Sequence, residues 1–293
     1  PEQLKTDAAG DDKLTALFEL AGQLEQTLDV GLTTYAVART RERARSIRTR
    51  VTQNLLGRSL YGLQKAVSGL MAEKYVVRGH KPGLPGPIFD DLAARIQPGD
   101  VFVVRKLHAI TNYFLPGYWP HAALYVGTLD DMKQLGLHQH DNVREAWAKI
   151  ESLDAKPHRA LEALADGVHV RPLSRALASD AVAVLRPKLS SEHIAEALGR
   201  GFFHEGKPYD FDFDFTRSDR LVCTEVIYRT YEGVGDMQFE LTRRAGRMTL
   251  AAEDMLRMSL AGNGFDTVAL YSPEHSPEVL TGDEAATVLS ETT

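Results

Sequence analysis

A chain of 293 residues, 43% hydrophobic and 25% charged, is long enough for one large globular domain or two modest ones. Its formal charge of −6 excludes a general nucleic-acid binder, which needs a basic face, and its single cysteine excludes an internal disulfide or a cysteine-rich zinc site. No stretch approaches the ~18 consecutive apolar residues of a membrane span, and with no signal-peptide apolar core in view a cytoplasmic protein is expected rather than an exported one.

Residues 1–95 read as a helical region. Leu17, Leu20, Ala21, Leu24 and Leu28 recur at helical spacing, as do Ile47, Val51, Leu55, Leu63, Val67 and Leu70, before Gly79, Pro82, Gly83 and Pro85 to Pro87 break the pattern as a linker. Between the two helices, the arginines from Arg39 to Arg50 form either a solvated face with partners such as Glu42 or a weak dock for an anionic surface.

A second domain is expected over 96–275. It begins after a short helical piece, Asp90 to Ile96, with the strand Val101 to Arg105. The aromatic loop Leu107 to Pro120 either packs on the core or walls a substrate cleft, and Trp119 is the ring assigned to that wall. His121 opens the strand HAALYVG, where a histidine is exposed enough to titrate. Residues 129–160 read as a polar insertion whose His138, His140 and Asp141 lack the further ligands a metal site requires. Strands follow at Val168 to Leu173 and at Ala181 to Leu185, the latter apolar enough to be central, and a helix starts at Ser191.

The segment GKPYDFDFDF alternates aspartate and phenylalanine with the period of an extended chain. The period then changes to that of a helix carrying Val222, Val226, Ile227 and Tyr231, capped by Ser218 or Asp219 and stopped by Gly233 and Gly235. Cys223 therefore falls in the first turn, where free N–H groups and the helix dipole favour a thiolate. An amphipathic piece near Leu250 to Leu260, a strand Thr267 to Tyr271 and a loosely held polar tail, 276–293, complete the chain.

A cysteine nucleophile needs a base and a polar group that orients the base. His121 at a strand mouth and Glu162 beside the next strand can fill those roles, provided consecutive strands are neighbours. Spacing alone leaves other triads open, because ten histidines and many carboxylates are present.

The motifs WPHAALYVG, LEALADGVHVRPL, GKPYDFDFDF and VCTEVIYRTY together resemble the permuted papain-fold cysteine hydrolases related to NlpC, in particular the YiiX/YaeF-like branch, over roughly residues 97–233. In that branch the histidine precedes the cysteine, as here. The resemblance implies Cys223 as nucleophile, His121 as base, Glu162 as orienting acid, and Tyr209 and Asp210 at the approach to the site. Thr224 stands where the family usually has serine, and the long stretch between His121 and Glu162 makes Glu145 of REAW the alternative acid.

The expected fold is thus α+β: a circularly permuted, papain-like antiparallel sheet of five or six strands with a packed cysteine helix, preceded by a helical region. The expected activity is hydrolysis of an acyl amide, of a peptide or cell-wall type, through a thioester, with no metal or organic cofactor. The substrate is a small-molecule, peptide or lipid-like acyl compound. An acyltransferase or lipase acting on lipid-like amides or esters, and a non-catalytic binding module on the same fold, are the alternatives.

Overall fold

In a computed structural model the described residues are 77, 79–109, 117–152, 157–211, 213–244 and 246–293. The helices expected before residue 77, the Arg39–Arg50 stretch, and Tyr113 and Phe114 of the aromatic loop lie outside them.

Among the described residues a six-stranded sheet runs β4-β3-β2-β1-β5-β8, every neighbouring pair antiparallel. Its strands are β1 (Val101–Arg105), β2 (His121–Gly127), β3 (Arg159–Leu164), β4 (Gly167–Pro172), β5 (Ala181–Pro187) and β8 (Phe265–Tyr271). A short hairpin of β6 (Thr242–Arg244) and β7 (Arg247–Thr249) stands apart from it. Side chains alternate across the sheet with the strand period. Val101, Val103, Leu124 and Leu161 face one core, and Phe102, Val104, Ala123, Tyr125 and Ala160 face the other.

The helices sort by the same faces. α1 (Gly86–Arg95) puts Ile88 and Leu92 on the second core, with α5 (Leu173–Ala176) beside it. α1 begins four residues earlier than its periodicity suggests, because Pro87 falls in the first turn, where a missing N–H removes no helical hydrogen bond. The first core is covered by α6 (Ser191–Phe202), α7 (Cys223–Tyr231), α8 (Ala252–Leu260) and α9 (Gly282–Thr292). The 129–160 insertion also contributes to this core. Its short helices α2 (Leu129–Gln134), α3 (Asp141–Arg144) and α4 (Trp147–Ser152), with a 3₁₀ turn at Leu137–Gln139, bury Met132, Leu137, Val143 and Ile150.

The C-terminus differs from the loose tail read in the sequence. GDEAATVLSET is polar on average, yet Ala285 and Leu289, four apart, are fully buried, and Val288 packs beside them. Trp119 Nε1 donates to Thr292 Oγ1 at 3.2 Å, and Arg257 donates to the Thr293 carbonyl, fastening the last turn. Leu289→Ala is expected to lower the unfolding free energy by about 2–4 kcal/mol in urea titrations. A loosely held tail would instead change it by less than about 0.5 kcal/mol.

Candidate active site

The site begins with the pairing of β2 and β3. Leu124 pairs with Leu161, so His121 and Glu162, each an odd number of residues away, share the opposite face. There His121 Nε2 lies 2.9 Å from Glu162 Oε2. The Glu162 side chain is 2% exposed and that of His121 20% exposed, so the carboxylate is internal and the imidazole reaches the rim. Of the two glutamates considered as the acid, Glu162 makes this bond, whereas Glu145 lies exposed at the end of α3.

Cys223 arrives from the other side of the sequence as the first residue of α7. The helix starts later than a Ser218 or Asp219 cap would place it. Leu221 is held in a parallel bridge to Tyr209, which keeps the chain extended until Val222, and Val222 occupies the N-cap without a capping side chain. Instead Glu225, three residues on, accepts the Val222 N–H, the reverse half of a capping box. Ser218 gives its carbonyl to Lys207, and Asp219 pairs with Arg217.

The Cys223 sulfur is hydrogen-bonded to His121 and to the backbone N–H groups of Ala122 and Thr224. Because Nε2 of the imidazole serves Glu162, Nδ1 is the nitrogen left for the sulfur. Burial opposes a thiolate, but the charge and hydrogen bond of His121, followed by the two N–H groups, outweigh it and hold the thiol below its ordinary value. Burial likewise disfavours the imidazolium, yet the charge and hydrogen bond of Cys223, then those of Glu162, raise His121 to about 10. Both shifts favour the thiolate–imidazolium form of the pair.

Tyr209 stands beside this pair. Burial, then the Cys223 charge, then Asp210 push its phenol well above the ordinary value, so it remains a protonated donor. Its ring meets Phe211 edge-on at 4.9 Å and Phe213 at 6.3 Å. The segment holding these rings is not a strand; Phe213 adopts φ 50° where the chain turns. Two other residues expected along the approach face inward. Asp210 is fully buried and accepts the Asp214 N–H at 2.6 Å, while Trp119 is 1% exposed and anchors α9. Both are buried rather than lining an open approach: the Asp210 carboxylate accepts from its own turn, and the Trp119 indole packs in the first core.

One neighbour of the site escapes a reading of the sequence. Arg171 of β4 is buried, with Nε 3.4 Å from Glu162 Oε1 and Nη2 2.5 Å from Asp166 Oδ1. Its signal lay only in the alternation of GVHVRP, which turns Arg171 to the same face as Glu162 once β3 and β4 pair.

For a metal the surroundings offer little. His140 accepts the Asn142 N–H as the N-cap of α3, and among the described residues no group of three or more His, Cys, Asp or Glu could hold an ion.

Alkylation of Cys223 by iodoacetamide is expected to rise with pH at an inflection below that of an ordinary thiol, about 8.5. Since His121 supplies the main lowering influence, His121→Ala is expected to move the inflection up by about one unit or more. Superimposable profiles would remove the ion pair from the site.

Residues 95–291 match the family described as permuted papain-like amidase enzyme, YaeF/YiiX, C92 family. No curated protein and no solved structure matches the chain.

Proposed function

The chain belongs to the permuted papain-like amidase family, a group of cysteine hydrolases, and from that premise we propose that Cys223, His121 and Glu162 cleave an acyl amide of a small molecule or peptide through a thioester. The observation that carries this reading is the imidazole held between the sulfur and a buried carboxylate. Such a row is what nucleophilic catalysis by cysteine requires.

In the first half of the reaction the Cys223 thiolate attacks the carbonyl carbon, and the carbonyl π electrons move onto oxygen. The first-turn N–H groups of α7 and the protonated phenol of Tyr209 are the donors available to that oxyanion, and a single such donor is worth about 10²–10³ in rate. Collapse breaks the C–N bond as the His121 imidazolium gives its proton to the departing amine. In the second half neutral His121 takes a proton from water while the water oxygen attacks the thioester. The C–S bond then breaks, releasing the acid and restoring the thiolate and imidazolium.

Mass spectrometry on a panel of acyl amides is expected to find an acylated Cys223 and free acid. Cys223→Ala should abolish both, and His121→Ala should reduce turnover about 10³-fold. Glu162→Gln keeps the shape but loses the charge that steadies the imidazolium, so a smaller loss of about 10–100-fold is expected. The profile of kcat/KM against pH should be a bell. Its acid limb follows protonation of the Cys223 thiolate, below the ordinary thiol value, and its alkaline limb, near 10, follows loss of the His121 proton. Full activity in Cys223→Ala would overturn the assignment.

A further inference from the structure

We infer that Arg171 is a positioning residue whose guanidinium holds the Glu162 carboxylate toward His121 during the part of the cycle when His121 carries no charge. This rests on the thioester reading above. Glu162 is 2% exposed and Oε2 faces His121, while Oε1 makes no hydrogen bond. The one cation near that second oxygen among the described ion pairs is Arg171, at 3.4 Å from Nε. Arg171 Nε has no hydrogen bond either, and its Nη2 is drawn to Asp166, whose side chain is half exposed. Arg171 and Glu162 thus meet as charges rather than as a bidentate pair, so the carboxylate is held by charge and not by a hydrogen-bonded fork.

That balance matters at one stage. In the resting state the imidazolium already neutralises Glu162. Once the amine has left with the proton, the sulfur is acylated, His121 is neutral, and Glu162 would be a lone buried anion but for Arg171. A buried carboxylate left without an opposite charge is costly and turns toward water or another donor. Turned away, it could not stabilise the imidazolium that must re-form when His121 takes the proton of the attacking water. Loss of the guanidinium should therefore slow thioester hydrolysis selectively.

The test uses the full chain with p-nitrophenyl acetate, following the nitrophenolate burst for acylation and the steady rate for deacylation. For Arg171→Met the steady rate is expected to fall at least tenfold while the burst rate changes less than threefold. Arg171→Lys, which keeps a charge in the fold, should recover most of the steady rate. In a Glu162→Gln background Arg171→Met should add less than twofold. Burst and steady rates falling by the same factor, or Arg171→Lys as impaired as Arg171→Met, would show a merely structural role and overturn the inference. A parent protein with no Cys223-dependent burst would overturn the thioester reading itself, and this inference with it.

Discussion

A buried charge must be matched, and the candidate site follows from how this fold matches three of them in a row. Moving a carboxylate out of water costs several kcal/mol unless partners offset it, and a thiolate or imidazolium is in a similar position. Glu162 lies inside the sheet, so its partners must come from adjacent strands: His121 from β2 on one side and Arg171 from β4 on the other. Cys223 finds its partners in His121 and in backbone N–H groups, one from β2 and one from the first turn of α7. Strand pairing thus decides which charges meet. A one-residue slip of β3 against β2 would turn Glu162 into the opposite core.

The cysteine must also be delivered to a fixed point by a segment that is neither helix nor strand. Basic side chains tie that segment down through its carbonyl oxygens. Lys207 donates to Ser218 at 2.9 Å, and Arg229 of α7 donates to Phe215 and Arg217 while pairing with Glu225. Glu225 in turn holds the Val222 N–H, so the start of α7, the turn before it and the helix's own second turn are fastened to one another. Burial, only partly countered by Arg229, raises Glu225 to about 7, so part of this fastening is a neutral hydrogen bond near physiological pH.

What the sequence revealed, and what it hid, divides along the reach of each interaction. Alternation over HAALYVG marked β2 to its ends, and the change from a period of two to one of three and four put Cys223 in a first turn, because both are signals within a few residues. The start of α7 lies beyond its two good capping residues because a parallel bridge from Leu221 to Tyr209, twelve residues back, keeps the chain extended. Trp119 looked like a cleft wall until α9 arrived from 173 residues away to cover it. Arg171 had no signal of its own, since its worth lies in a neighbour on another strand. Resemblance could name Cys223, His121 and Glu162 together, but only pairing distinguishes Glu162 from Glu145.

In the proposed reaction the raised His121 and the amine leaving group are also related through time. Among the influences that raise His121 to about 10, the charge of Cys223 stands first. That charge disappears when the sulfur bonds to carbon, so the imidazolium turns from a weak acid into a stronger one at the moment a proton is needed by the departing nitrogen. A histidine held up mainly by Glu162 would keep its proton after attack and stall the collapse. One held up by neither would leave the thiol protonated at rest. In the proposed reaction the division of labour between a transient partner, the thiolate, and a permanent one, the carboxylate, lets one imidazole protect the nucleophile first and then protonate what the nucleophile displaces.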